Sequence, residues 1–229
     1  MSFSMLIAMT AETLGRSVVN IEVVHDIACP WCYVGHAQLK HALQEAAQAS
    51  IPVAVTWSPY MLNPAMPQQG MSRYDYLVAK FGEAGLDRYK RVEDSARAEG
   101  LPMSLDSITV QPNTLDAHVL IAAASDEALP MIERLFEAFF CEGKNLTQRQ
   151  QLLDSAEAAG MKRSHAASAL DDGLLRKRVR HKAEEWASRG VQGVPAFRFS
   201  SESTEGFWLQ GAVGSAVLFQ AIAEARGDV

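Results

Sequence analysis

Two of the chain's three cysteines, Cys29 and Cys32, are separated only by Pro30 and Trp31, within HDIACPWCYVGHAQLKHAL, His25 to Leu43. The stretch before them, SVVNIEVVHD, is rich in Val and Ile and reads as a buried strand. The stretch after them reads as a helix to about Ala49, with Leu39, Leu43 and Ala46 on one face. Pro30 suits a first helical turn, where it has no amide hydrogen to lose. Cys29 therefore falls at the expected N-cap, as the exposed thiol, and Cys32 one turn on, as the shielded one. The unpaired amides and the macrodipole place partial positive charge beside the Cys29 sulfur. That favours thiolate and tends to lower a cysteine pKa below its usual value of about 8.5.

Three chemistries are open to such a pair. A dithiol couple would use the Cys29 thiolate to attack a partner disulfide and Cys32 to resolve the mixed disulfide. A zinc site takes four ligands, and no second C-x-x-C exists to supply them. Cys141 and a histidine would have to complete it, and Cys141 lies far along the chain on an amphipathic helical stretch. The third option is a pair of inert small residues, for which a C-P-W-C at a helix start is an unfavourable setting.

The elements that must position the pair follow in order. IPVAVTW, Ile51 to Trp57, is a second strand, and strand, helix, strand with parallel ends is a βαβ unit. SPYMLNPAMPQQG, Ser58 to Gly70, is a Pro, Asn and Gly-rich connection. From Ser72 to about Arg189 nearly everything reads as helix. TLDAHVLIAAASDEA and LPMIERLFEAFFCEG form an expected helical hairpin. TQRQQLLDSAEAAG has a threonine at the N-cap and a glycine stop. GLLRKRVRHKAEEWASRG carries Leu175, Val179, Ala183 and Trp186 on one stripe. Strand character returns at VPAFRFS and GFWLQG, and a last helix runs from about Ser215 to Arg226. The two strand-bearing ends must meet in space, since each alone is too small to bury a core. The reading is an α/β domain over 17–62 and 190–229, interrupted by an all-helical insertion over 63–189, with a tail over 1–16.

The whole chain sets further bounds. It has 229 residues and a formal net charge of −6, which argues against a general nucleic-acid binder. No stretch approaches the about 18 continuous apolar residues of a membrane span. The start, MSFSMLIAMTAETLGRS, lacks a basic n-region and a long apolar run, so it reads as a tail and not a signal peptide. A cytoplasmic location is expected, where a close cysteine pair points to catalysis, redox sensing or metal binding.

At HDIACPWCYVGHAQL, WSPYMLNPAMPQQG, NTLDAHVLIAAA, LFEAFFCEGKNL, GVQGVPAF and QGAVG the chain resembles the DsbA family of thioredoxin-like dithiol–disulfide oxidoreductases, most closely its FrnE-like branch. The resemblance implies a thioredoxin-like fold with a helical insertion. It implies that Cys29 attacks, Cys32 resolves, and Val194-Pro195 is a cis bond lying against the cysteines, with Val194 offering backbone groups to a substrate. Pro30, Trp31, His25 and Asp26 are candidates for tuning the pair. The implied partners are proteins, peptides or small molecules carrying a thiol or disulfide, with no nucleic acid or membrane, and the chain acts as a monomer or homodimer. No metal or organic cofactor is called for beyond the redox-active disulfide, and glutathione is a candidate co-substrate. Val213 replaces a glutamine common in the branch, and His25 replaces a small or hydroxyl residue. The kappa-class glutathione transferases and 2-hydroxychromene-2-carboxylate isomerases share this layout but carry serine at the position of Cys29. A glutathione-dependent transferase or isomerase is thus one alternative, and a redox-regulated chaperone or binding module that uses the insertion as a clamp is another.

Other residues have simpler expected roles. His36 is expected to point at solvent, His118 to be a satisfied core histidine and Cys141 a buried small residue. RKRVRHK, Arg176 to Lys182, reads as a solvated face because Glu184 and Glu185 follow it. Met61, Met66, Met71 and Met103 suit either an adaptable apolar groove or core packing.

Overall fold

The structure, a computed structural model, describes residues 17–227, the side chains of 86–90 aside. The tail expected over 1–16 lies outside the described residues. β1, Val19–His25, leads through a tight turn into α1, Pro30–Gln48, and then β2, Val53–Pro59. β1 and β2 are parallel, from Val19 opposite Val53 to His25 opposite Pro59. β2 thus runs two residues beyond the strand read from the sequence.

The two ends of the chain join along β1. β5, Ala196–Ser200, pairs antiparallel with β1, placing Ala196 opposite Val24. β6, Phe207–Gln210, pairs antiparallel with β5, giving the sheet order β2-β1-β5-β6. The period of two in β1 sends Val19, Ile21 and Val23 to one face. There they pack with Leu39, Ala42 and Ala46 of α1, Phe197 and Phe199 of β5, and Leu218 and Ile222 of α9, Ser215–Arg226. Val24 faces the other way, against Ala196, Val191 and Trp186 of α8, Gly173–Ser188.

Between β2 and β5 lie α2, Arg73–Phe81, α3, Leu86–Ala98, α4, Leu115–Ala124, α5, Ala128–Phe140, α6, Arg149–Ala158, α7, Arg163–Asp171, and α8. Their core is built on Leu120, Ile132, Leu135, Phe136, Phe139 and Phe140, and it takes in Cys29, Cys32, Tyr33 and Val34 of the α1 start. α1 is therefore buried on two sides, and its cysteines sit where its N-terminal turn meets the helical core. This is the interrupted α/β arrangement expected from the sequence.

Three local readings are corrected. β3, Met71–Ser72, pairs antiparallel with β4, Val110–Gln111, inside the stretch read as helical. The pairing is too short to show alternation, and it is fixed by the buried Arg73, whose N–H reaches Thr109 O and whose guanidinium meets the Gln111 side chain. Thr147 is not the N-cap of α6; Gln148 is. The Asn145 side chain captures Thr147 instead, accepting from its N–H at 3.0 Å and its hydroxyl at 2.7 Å. Cys141, the residue that caps the C-terminus of α5, is only partly buried.

Candidate active site

The turn from β1 into α1 is held by Asp26. Its Oδ1 accepts from the Ala28 N–H at 3.2 Å and its Oδ2 from the Leu62 N–H at 2.8 Å, so one carboxylate ties this turn to the connection after β2. The Asp26 carbonyl accepts from the Cys29 N–H at 3.0 Å. Cys29 is the N-cap residue, in extended backbone with φ −91° and ψ 113°, and Pro30 opens the helix. The Cys29 carbonyl accepts from Cys32 at 3.0 Å and Tyr33 at 3.3 Å, which places both cysteines on the first turn.

Both cysteines are free thiols and both are buried, Cys29 at 4% and Cys32 at 2% exposure. The expectation of an exposed Cys29 is thus corrected. The loop before β5 covers it, and its thiol donates to the Val194 carbonyl oxygen at 3.4 Å. The Val194-Pro195 peptide is cis. Pro195 rests on Gly35 of α1, where a Cβ would lie 2.8 Å from the proline Cγ. Gly35 was not singled out in the sequence, although a glycine inside an apolar helix is the signal of such a close approach. Trp31, between the two buried sulfurs, is itself 43% exposed.

Burial pushes the Cys32 thiol well up, and the Cys29 thiol and the negative charge of Asp26 push in the same direction. The Asp26 main chain acts the other way.

Beside Asp26 lies a group of buried histidines. His25 ends β1 with its ring edge-on to Trp57 at 5.6 Å and to His118 at 5.5 Å, and tilted against Phe136 at 6.3 Å. Burial, then the neighbouring His118 and His36, holds its pKa well below 6.5. Neither of its ring nitrogens has a hydrogen-bond partner among the described residues. His118 of α4 is buried as expected, with Nε2 3.0 Å from the Tyr60 carbonyl and 3.7 Å from Asp26 Oδ1. His36 is buried too, contrary to expectation, because Trp57 and Phe136 cover its face of α1 at 5.4 and 5.9 Å. Its Nε2 stands 3.7 Å from Glu133 Oε1, an electrostatic contact longer than a hydrogen bond. Glu133 also accepts from Lys40 at 2.8 Å. His36 first and Lys40 next, against the opposing effect of burial, hold the Glu133 carboxyl at about 2.

The remaining candidates lie elsewhere. The Cys141 thiol donates to the Pro102 carbonyl at 3.0 Å and lies 3.5 Å from the Tyr33 hydroxyl. Lys177, Arg178 and Arg180 are exposed, and Arg176 pairs with Asp116. Met61 and Met66 are buried while Met71 is exposed, so these methionines do not share one setting. Gln38 was missed in the sequence. It is buried, donates to Glu99 at 2.9 Å and accepts from the Gly214 N–H at 2.9 Å, joining α1 to α3 and to the start of α9. Among the described residues no three His, Cys, Asp or Glu side chains converge as metal ligands, and no helix is long and apolar enough to cross a membrane.

This chain is 26% identical over 212 residues to the uncharacterised Bacillus subtilis protein YwbO, with 90% of this chain and 96% of that protein covered. The crystal structure of a probable DsbA oxidoreductase from Streptomyces coelicolor matches with a TM-score of 0.81 and 26% identity, covering 92% of this chain and 91% of the other. The cytosolic disulfide reductase DsbM of Pseudomonas aeruginosa shares the fold, with a TM-score of 0.62 at 18% identity and coverage of 91% and 96%. The family model for the DSBA-like thioredoxin domain matches residues 20–223. Its span takes in the cysteine pair, the loop over it and the whole helical insertion, and the chain belongs to that family.

Proposed function

We propose that the protein is a thiol–disulfide oxidoreductase of the FrnE-like branch, working in the cytoplasm through Cys29 and Cys32. The observation that carries the reading is the placement of both thiols on the first turn of α1, with the Cys29 sulfur against the Val194 carbonyl. The Cys29 thiolate attacks one sulfur of a substrate disulfide. That S–S bond breaks, one substrate sulfur leaves as thiolate, and Cys29 is joined to the other. Cys32 then loses its proton to the carboxylate of Asp26 and attacks the Cys29 sulfur. The second substrate thiolate leaves, the substrate is reduced by two electrons, and the Cys29–Cys32 disulfide holds the oxidising equivalents. Oxidation of a substrate dithiol is the same sequence reversed.

The raised pKa of Cys32 supports this division of labour, because a thiol that stays protonated until the mixed disulfide forms does not compete as the attacking group. Val194 and Pro195 are the proposed substrate-binding residues. A substrate chain laid beside Val194 would pair with its backbone as a short added strand. Exchange with a disulfide-bonded peptide tests the reading. Cys29→Ser should abolish exchange, and Cys32→Ser should accumulate the Cys29 mixed disulfide, seen as added mass on the intact protein. Retention of most exchange activity by Cys29→Ser would overturn it.

A further inference from the structure

The loop from α8 into β5 is fixed at its ends and open between them. At its start the Val191 N–H donates to the Trp186 carbonyl at 3.1 Å, and at its end the Pro195 carbonyl accepts from the Gly211 N–H at 2.7 Å. Among the described residues, the main chain of Gln192, Gly193 and Val194 takes part in a single hydrogen bond, the one that Val194 accepts from the Cys29 thiol. Gln192 is exposed, and a Cβ at Gly193 would meet nothing within 4 Å. The stretch that would pair with a substrate chain thus takes its position from its anchors.

Val191 is the buried anchor, packed with Val24, Trp186 and Ala196. Its carbonyl accepts from the Tyr60 hydroxyl at 3.2 Å, the only hydrogen bond of that carbonyl among the described residues. Tyr60 is itself held at both ends of its main chain. Its N–H donates to the His25 carbonyl at 2.8 Å, and its carbonyl accepts from His118 Nε2 at 3.0 Å. Just beyond it, the Leu62 N–H is held by Asp26. One short segment is therefore fastened to the turn that carries Cys29 and, through a hydroxyl, to the loop that faces it. Burial, then the charge of Asp26, raises the Tyr60 pKa, so the hydroxyl keeps its proton and remains a donor through the neutral range. Phenylalanine would pack against the same apolar cluster and leave the Val191 carbonyl without that donor.

We propose that Tyr60 is a positioning residue for substrate: its hydroxyl, through the Val191 carbonyl, holds the Val194 main chain where an extended peptide tethered to Cys29 can pair with it. The substrate class this favours is a disulfide carried on a peptide chain, in preference to a small disulfide with no amide groups. The inference rests on the dithiol-exchange reading and assigns its substrate class. No covalent bond to Tyr60 forms or breaks, so the exchange steps keep the balance already given. What Tyr60 sets is the order of the loop. A Val194 N–H and carbonyl already in place need no further ordering when the chain arrives, and that strengthens binding of the chain.

The test mixes the reduced full chain with rising concentrations of a cystine-containing peptide and, separately, of an aromatic disulfide that has no amide groups. Acid quench and intact mass follow formation of the Cys29–Cys32 disulfide. Tyr60→Phe should raise the half-saturating concentration of the peptide about fivefold or more, as expected for one lost hydrogen bond. The limiting rate, and the rate with the aromatic disulfide, should change less. A peptide N-methylated on the residues flanking its cystine cannot pair fully with Val194. It should bind the unaltered protein more weakly and show little further weakening in Tyr60→Phe. Equal slowing of both substrates in Tyr60→Phe, an unchanged half-saturating concentration for the peptide, or losses that simply add would overturn the inference. Should Tyr60→Phe not fold, Gln192→Gly loosens the same stretch at an exposed position and should weaken peptide binding in the same way. Unchanged peptide binding in Gln192→Gly overturns the inference alone. Failure of the unaltered reduced chain to react with either disulfide would instead remove the exchange reading itself.

Discussion

The Cys29 thiol donates to the Val194 carbonyl oxygen at 3.4 Å, across 165 positions of sequence. The contact couples the chemistry of α1 to the loop that enters β5. It requires an S–H on Cys29, so a Cys29 mixed disulfide has no donor to offer. Forming the proposed intermediate therefore frees the Val194 oxygen at the moment a substrate chain is tethered beside it, ready to accept that chain's N–H.

Gly35 is where α1 and this loop approach most closely. Gly35→Ala would put a Cβ 2.8 Å from Pro195 Cγ and 3.4 Å from Phe197 Cζ. Alanine gains about 0.5–1 kcal/mol of helix propensity over glycine, whereas overpacking a core costs about 1–3 kcal/mol. The steric cost wins. Net destabilisation of up to about 2 kcal/mol is expected in urea titrations, together with slower disulfide exchange as the loop is pushed off Cys29. Unchanged stability and exchange would show that the loop yields freely there.

Phe136 joins the helical core to the site. Its ring meets Tyr33 at 5.4 Å, His36 at 5.9 Å, Phe140 at 6.2 Å and His25 at 6.3 Å, and it is almost wholly buried. Phe136→Ala should cost about 3–5 kcal/mol in urea unfolding. A loss below about 1 kcal/mol would mean that the site collapses around the gap.

The contrast between His36 and the cysteines shows what the sequence alone could convey. C-P-W-C at the junction of a Val/Ile run and a helical period is a local signal, and local rules place both sulfurs on the first turn of α1. The burial of His36 is not local. It depends on Trp57 from β2 and Phe136 from α5 covering one face of α1, and both lie at positions whose spacing to His36 carries no pattern. β3 and β4 were invisible for another reason, since two residues cannot display an alternation. Thr147 misled because a threonine before a helical run is a good cap in general, while Asn145 two residues earlier competes for the same hydroxyl.

Cys141 hydrogen-bonds to Pro102 and touches Tyr33, and burial raises its pKa. A serine hydroxyl keeps the bond to the Pro102 carbonyl. Cys141→Ser should thus leave exchange rates within about twofold and change stability by less than about 1 kcal/mol. A large loss of exchange would bring this third cysteine into the mechanism.

The pH dependence of stability separates His25 from Glu133. His25 stays neutral in the fold well below 6.5, while in the unfolded chain it protonates near 6.5. Below that pH the unfolded state binds the extra proton, so stability is fully present above about 6.5 and falls as the pH drops toward the folded value. Glu133 has its folded pKa at about 2 against an ordinary 4.5, so its contribution is fully present above 4.5 and is lost as the pH falls through 2. Its side chain is 39% exposed, and solvent screening makes that contribution small. The two windows are distinct. Urea unfolding of the unaltered protein and of His25→Phe should differ in slope between about pH 6.5 and 4.5, by at most about 1.4 kcal/mol per pH unit for one proton. Glu133→Gln should keep that slope and flatten the curve only below about pH 4.5. If His25→Phe retains the full slope between about pH 6.5 and 4.5, the acid sensitivity arises from another group and His25 takes up its proton equally in the folded and unfolded states.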